Sequence, residues 1–360
     1  MSKATRHQRR NVLRVILVTE LVIALLTGAT VVFAYNKVDN RIDTGDDIVH
    51  QVAPPKKRAL PTSALNILVL GTDTRSCAGC GIDHESGKGG SDLTILLHVA
   101  EGRKSAYGIS IPRDTLVDRP ACTAEDGTAV PAATSVMWND ALAVGGPACT
   151  AAQVEAVTGV YIDEYLVIDF AGFKDMVDAI HGVEVCLPAA VDDTEHNIHL
   201  DAGTQTLHGE DSLAYVRQRS STPNSDIGRM RRQQAFIASM LSKVTSAGTL
   251  TNPTKVYNFA KAFAGSITTS PELSSVSKLY KLGLSLRGAN LDKIRFVTAP
   301  TTDFPIDDPN WGRLQFTDAA PALWAKVKKD EPLGTLGKGA ISGQNKSGSK
   351  AEAATNGLCS

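Results

Sequence analysis

Five arginines and one acidic residue crowd the stretch LAYVRQRSSTPNSDIGRMRRQQAF, from Leu213 to Phe236. The chain as a whole is balanced, with 37 basic and 38 acidic residues and a formal net charge of -1. The local excess is therefore not a by-product of a basic protein. A guanidinium is a planar fork that grips carboxylate or phosphate oxygens in pairs, whereas solubility alone needs only lysine. The stretch asks for an anion.

Two further places collect polar groups at the ends of apolar runs. Gly71-Thr-Asp-Thr-Arg75 follows NILVL directly, and Ser91-Asp92 opens the next run. Asp73 and Asp92 together suit Mg2+, which takes one or two carboxylates and completes its shell with water and phosphate oxygens. Taken singly, Asp73 reads as a turn cap and Asp92 as an exposed strand start. In Ser110-Ile-Pro-Arg-Asp114, Pro112 stops a strand and leaves Arg113 and Asp114 to project. Alone they would make a surface ion pair of little consequence. Arg75, Arg113, Arg217, Arg219 and Arg229 all fall at element ends, in company with the two carboxylates. A pyrophosphate held by magnesium and several arginines accounts for the whole set.

Other chemistries fit less well. GIDHESGKG (81–89) approaches a phosphate-binding loop, but its spacing before Gly87-Lys88 is one residue too long. Gly89 also stands where Ser or Thr should meet magnesium, and GTLGKG (334–339) fails likewise. No Gly-x-Ser-x-Gly elbow supports a serine esterase. Balanced charge and 5% aromatic content argue against nucleic acid as a partner.

The elements that must carry these groups read as alternating strands and helices. Asn66–Leu70, Asp92–Ala100, Ser105–Ile111, Glu164–Ile168, Val183–Leu187 and Lys293–Ala299 are expected strands, as short apolar runs bounded by Gly, Pro or polar residues. Leu213–Arg219 alternates as well, which would place Tyr215, Arg217 and Arg219 on one face of a strand. Helices are expected over 151–158, 170–180, 254–263, 272–286 and 319–329. Another should run from an Asp226 cap to about Val244, with Arg229 and Gln233 one turn apart and Phe236, Ile237, Met240, Leu241 and Val244 as its buried stripe. The fold class is thus α/β: a central mixed β-sheet covered by helices on both faces, preceded by one transmembrane helix.

That helix is expected at 15–35, VILVTELVIALLTGATVVFAY, close to the roughly 20 apolar residues that span a bilayer. Lys3, Arg6, Arg9, Arg10 and Arg14 precede it, predicting a cytoplasmic N-terminus (1–14) and an exported remainder. The competing reading is a signal peptide cleaved before Tyr35, although its apolar core would be longer than is usual. A stalk (36–63), a catalytic domain (64–330) and a disordered Gly/Ser/Lys/Ala-rich tail (331–360) follow. Six cysteines suit an oxidising compartment. Cys122 and Cys149 flank an irregular stretch and make a plausible pair. Cys77-Ala-Gly-Cys80 reads as a local disulfide rather than a redox or zinc motif.

NILVLGTDTR, GSDLTILLHV, ISIPRDT and LHGEDSLAYVRQR…SDIGRMRRQQ resemble, in order, the signature blocks of the LytR–CpsA–Psr family, membrane-anchored enzymes of bacterial cell-wall assembly. The resemblance covers about residues 66–244. It implies a phosphotransferase that moves a glycopolymer phosphate from a polyprenyl-pyrophosphate carrier to a peptidoglycan muramic acid hydroxyl. By that likeness Asp73 and Asp92 are metal ligands for Mg2+ or another divalent cation, with Asp92 also catalytic. Arg113, Arg217 and Arg219 are catalytic and grip the pyrophosphate with Arg75, Arg229 and Gln233, while Asn139 matches the asparagine that follows the PRD block. The partners implied are the lipid-linked glycan, peptidoglycan and the membrane, with no nucleic acid. Localisation would be the bacterial cell membrane, single-pass, with the catalytic domain extracytoplasmic. The family's usual Arg two residues before the second aspartate is Gly90 here, with Lys88 or Arg75 as substitutes. A polyprenyl-pyrophosphate hydrolase and a non-catalytic lipid-pyrophosphate binding module are the alternatives.

Overall fold

Short apolar runs become the strands of one sheet. The computed structural model describes residues 20, 33, 35–54, 63–72, 90–193, 198–218, 225–245, 252–286, 289, 294–337 and 340–342. Residues 1–41 and 42–360 form two separate units. In the first, Asn40 donates its backbone N–H to Asn36 O in a helical turn, and Glu20, Phe33 and Tyr35 are exposed. Apart from those three residues, the expected membrane span lies outside the described residues. No helix among the described residues is long and apolar enough to cross a membrane.

The second unit is built on eight strands. They are β1 (Asp43–Thr44), β2 (Leu65–Thr72), β3 (Ser91–Val99), β4 (Ala106–Ser110), β5 (Glu164–Asp169), β6 (Ile267–Thr269), β7 (Arg295–Thr298) and β8 (Ile341–Ser342). Their order is β1-β6-β5-β2-β3-β4-β7-β8. β2, β3 and β4 pair antiparallel, while β2 with β5 and β4 with β7 pair parallel. The sheet is mixed, as expected. Alternation along each strand divides its two faces. Leu68, Leu70, Leu96, Ile109, Tyr165 and Val297 face one way, onto α1 (Asp140–Thr158) and the last helix, α7 (Ala320–Lys328). Val69, Leu93, Ile95, Leu97 and Phe296 face the other way, onto Ile237, Ala238 and Leu241 of α4 (Ser225–Thr245). Gly108 lies opposite Phe296, and a Cβ there would sit 2.3 Å from the ring, so the position must lack a side chain.

A second apolar cluster lies beside the sheet. α2 (Phe170–Ala179), α3 (Gly209–Arg217), α4 and the hairpins 183–187/203–207 and 191–193/198–200 enclose Val177, Tyr215 and Phe236. α5 (Pro253–Ala264) and α6 (Val276–Leu286) complete the helices. Asp169 caps α2 by accepting from the Gly172 N–H at 2.6 Å.

Four expectations need correction. Leu213–Arg219 is not a strand, since Gly209–Arg217 is helical. Gly209, Ser212, Leu213 and Val216 fall at i, i+3, i+4 and i+7, and all but the half-buried Val216 are buried. Glu210 and Asp211 also favour a helix start. α4 begins at Ser225, one residue before the expected Asp226 cap. The expected stalk joins the domain through residues 43–52. β1 pairs with β6, and the buried Glu155 carboxylate accepts the backbone N–H groups of Gln51 and Ile162. His50 Nδ1 lies 2.8 Å from the same carboxylate, with its ring stacked on Tyr161. The tail expected from 331 starts as structure. Leu333 and Ile341 are buried, and Ile341 pairs with Phe296 at the sheet edge. Residues 343–360 lie outside the described residues.

Candidate active site

β3 starts where β2 ends. Thr72, the residue before Asp73, pairs with Ser91, the residue before Asp92. Ser91 Oγ donates to Leu93 O at 2.7 Å and lies 3.0 Å from Thr94 Oγ1, which also accepts from the buried Trp138 indole at 3.3 Å. These bonds hold the backbone on either side of Asp92, so its carboxylate has a set direction.

β4 ends at Ser110, and Pro112, lacking an N–H, releases the chain from the ladder. Arg113 turns back toward β3 and places Nη1 2.5 Å from Asp92 Oδ1, with Nε 3.4 Å from Asp114 Oδ2. Asp114 also holds Arg313, with Oδ1 to Nη1 at 3.2 Å. The Arg113 and Asp92 side chains keep 19% and 24% of their exposure. The pair is shielded enough to be directional and open enough to meet a ligand.

The first turns of α4 close the site. A pocket is lined by Asp92, Leu93 and Thr94, by residues 110–114, by Ile227, Arg229, Met230 and Gln233, and by Leu314. Four of the eight expected site residues, Asp92, Arg113, Arg229 and Gln233, therefore meet at one place. Gln233 Nε2 donates to Val216 O at 3.1 Å, which joins α4 to the end of α3. Its Oε1 is buried with no partner among the described residues, as is Ser110 Oγ in the pocket wall. Buried polar atoms cost free energy when unmatched, and a ligand that completes them recovers it.

Arg217 ends α3 next to Val216, with its guanidinium 4.8 Å from the Phe170 ring centroid. It does not line the pocket among the described residues. Asp73, Arg75 and Arg219 lie outside the described residues, as do Cys77 and Cys80. Asn139 lies against the site, its backbone N–H donating to Arg113 O at 3.2 Å. Its side chain also lies over Gly90, where a Cβ would come within 3.1 Å of Asn139 Nδ2 and 3.3 Å of its carbonyl oxygen. A longer residue there would require Asn139 to move.

Sequence reasoning missed Arg232. Its guanidinium is buried, donating from Nη1 to Gln218 Oε1 at 2.8 Å and from Nη2 to Gln218 O, and lying 5.7 Å from the Tyr215 ring centroid. Burial lowers its pKa from the usual arginine value. It clamps the chain leaving α3 onto α4, three residues after Arg229. That i, i+3 spacing was the available signal.

Cys122 and Cys149 form the expected disulfide, with Cα atoms 5.5 Å apart. It ties the 115–137 excursion to α1, and Cys186 is disulfide-bonded as well.

The chain matches the model of the LytR_cpsA_psr family over residues 30–320. It is 31% identical over 268 residues to the cell wall biosynthesis protein LcpA of Corynebacterium glutamicum, covering 66% of this chain and 50% of LcpA. It is 32% identical over 276 residues to LcpB of the same organism, a probable cell wall biosynthesis protein, covering 75% of this chain and 62% of LcpB. The chain thus spans less than two thirds of the length of these curated relatives. TagV of Bacillus subtilis, named a polyisoprenyl-teichoic acid–peptidoglycan teichoic acid transferase, is 31% identical over 174 residues, or 47% of this chain and 42% of TagV. The crystal structure of TagV superimposes with a TM-score of 0.57 at 26% identity, covering 75% of this chain and 96% of that one.

Proposed function

This chain belongs to the LytR–CpsA–Psr family, and on that premise we propose that it transfers a glycopolymer phosphate from a polyprenyl-pyrophosphate carrier to a muramic acid hydroxyl of peptidoglycan. The observation that carries the reading is the meeting of Asp92, Arg113, Arg229 and Gln233 around one pocket. Two guanidiniums and an amide beside a carboxylate suit a diphosphate better than a neutral ligand. Leu93 belongs both to the pocket and to the half-buried apolar row of Val69, Leu97, Ile237 and Leu241 between sheet and α4. A lipid chain leaving a phosphate there would find apolar neighbours.

In this reaction the acceptor oxygen attacks the phosphorus that bears the glycan, and the bond from that phosphorus to the bridging oxygen breaks, the bridging oxygen leaving on the lipid phosphate. The products are a phosphodiester and polyprenyl phosphate. Arg113 and Arg229 offset the negative charge that grows on the bridging and terminal oxygens. The hydroxyl proton passes to a carboxylate, for which Asp92 and Asp73 are the candidates. Arg113 holds one Asp92 oxygen and so orients the other.

The donor set is compatible with a hard divalent cation, because Asp92 is partly open and Asp73 follows the strand residue paired beside it. Among the described residues no cluster of three His, Cys, Asp or Glu would hold a metal by itself, so substrate phosphate oxygens and Asp73 would have to complete the shell. Mg2+ held in that way would further neutralise the departing phosphate. We place the domain outside the cell, tethered by residues 15–35 with the N-terminus cytoplasmic. The Cys122–Cys149 disulfide supports an oxidising compartment.

The test is incubation of the full chain with a synthetic polyprenyl-pyrophosphate glycan and peptidoglycan. Glycan bound covalently to the peptidoglycan, with polyprenyl phosphate released in equal amount, is the expected result. Release without linkage would make the protein a hydrolase, and binding without release a carrier module.

A further inference from the structure

Hydrophobic side chains of large size are seldom left in water beside a charged pocket. Among the described residues of the second unit, Ile306 and Trp311 are the most exposed large hydrophobic side chains, at 75% and 63%. Both lie on the 304–312 loop, FPIDDPNWG, which connects the strands Thr301–Asp303 and Leu314–Phe316. The loop is bonded into shape. Asp308 N–H donates to Pro305 O, Trp311 N–H to Asp308 O and Arg313 N–H to Asn310 O, each at 2.9 Å. Asn310 N–H meets Asp308 Oδ1 at 2.7 Å, and Gly312 supplies the left-handed step (φ 85°) that returns the chain. Trp311 is therefore displayed by design of the turn.

The same hairpin is part of the active-site wall. Leu314 lines the pocket, its N–H donates to Asp114 O at 3.1 Å, and Arg313 pairs with Asp114. Trp311 stands three positions before Leu314, at most about 11 Å of chain. The platform thus lies within a short stretch of chain of a residue that lines the pocket.

The neighbours select among partners. Asp303, Asp307 and Asp318 are exposed and Asp308 is half-buried, while Arg313, the cation that follows the loop, is already paired. Such a patch repels phosphate-rich polymers and anionic headgroups. It suits a neutral, hydroxyl-rich ligand, whose C–H face packs on an indole while its hydroxyls donate to carboxylates.

We propose that Trp311, with Ile306 beside it, is the docking platform for the acceptor: a neutral N-acetylhexosamine strand, held so that a sugar hydroxyl reaches the pocket. The proposal deepens the transfer reading and rests on it for the identity of the acceptor, though not for the binding itself.

The chain has three tryptophans, and Trp138 and Trp324 are 0% and 4% exposed, so solvent quenching reports on Trp311. The full chain in detergent is titrated with N-acetylglucosamine hexamer while tryptophan emission and acrylamide quenching are followed. A saturable blue shift with protection from quenching is expected in the wild type, and hexamer binding followed by calorimetry should be lost in Trp311→Ala and partly kept in Trp311→Tyr. In the transfer assay Trp311→Ala should raise the acceptor KM about three- to tenfold and leave kcat at saturating acceptor unchanged. No saturable response in the wild type, or equal calorimetric binding by Trp311→Ala, overturns the proposal. Protection by phosphatidylcholine vesicles in place of the saccharide also overturns it and makes the hairpin a lipid contact. If the hexamer binds through Trp311 but no transfer occurs, the docking surface stands and the transfer reading falls.

Discussion

The two ends of the central sheet each present a carboxylate, and the contrast between them separates a working group from a structural one. At one end Asp92 faces the Arg113 guanidinium on the rim of a pocket. At the other, Glu164 pairs with Ser270, Oγ donating to Oε2 at 2.5 Å, with Asp163 and Glu272 nearby. The parallel register of β2 and β5 sets them apart, since Glu164 lies beside Ile67 and Asp169 beside Thr72. Burial, reinforced by its acidic neighbours, pushes the Glu164 carboxyl up to about 7. A carboxylate given a cation and an opening can act on a ligand. One given burial and acidic neighbours is held toward its neutral form, against the pull of the hydroxyl that donates to it.

Substitution can sharpen or break this contrast. The largest effect is expected at the pocket end. Arg113→Ala should cut turnover by roughly 100- to 1,000-fold, the scale of losing one positioned electrostatic stabiliser, with Tm little changed. Release of polyprenyl phosphate is the measurement, and an intact rate would remove Arg113 from the chemistry. Arg229→Lys keeps the charge but loses the fork, and should fall in the same direction.

Arg232→Ala should act on stability instead. Losing the charged hydrogen bonds to Gln218 costs about 2–3 kcal/mol, read in denaturant unfolding. If turnover per folded molecule collapsed while stability held, Arg232 would belong to the site.

A smaller effect is expected at the far end. The Glu164 pKa is raised in the folded state, so its contribution to stability is fully present below the unfolded value of 4.5 and is lost as pH rises through about 7. Glu164→Gln should therefore gain Tm over wild type above pH 7 and show little difference at pH 4.5, with transfer activity unaltered. A Tm difference that did not change with pH would put the destabilisation elsewhere. Smallest of all, Arg231→Ala should change turnover less than twofold, since Arg231 is only half-buried and does not line the pocket among the described residues. A loss as deep as that of Arg113→Ala would turn the specific site into a diffuse positive surface.

Much of this arrangement is legible from contiguous residues. A proline that ends a strand, an aspartate that opens the next and arginines grouped ahead of an apolar stripe are local features, and their chemistry does not depend on distant neighbours. From these alone follow the β2–β3–β4 strands, the helix of 225–245 to within a residue or so, the anion as ligand, and Arg113, Arg229 and Asp92 as site candidates, while the family resemblance added Gln233.

Tertiary structure decided the rest, because over seven or so residues a period of two and a period of 3.6 can both be drawn through the same apolar positions. LAYVR satisfies strand alternation through Leu213 and Tyr215. It is a helix because Tyr215, Ala214 and Val216 pack together against a cluster built from elements distant in sequence. The same dependence distinguishes Arg229 from Arg232, three residues apart on one helix. The first faces the end of β3, while the second meets the chain leaving α3. It also brings residues 43–52 and 331–342 onto the domain, where a buried carboxylate and an open sheet edge, neither visible in their own sequence, were waiting for partners.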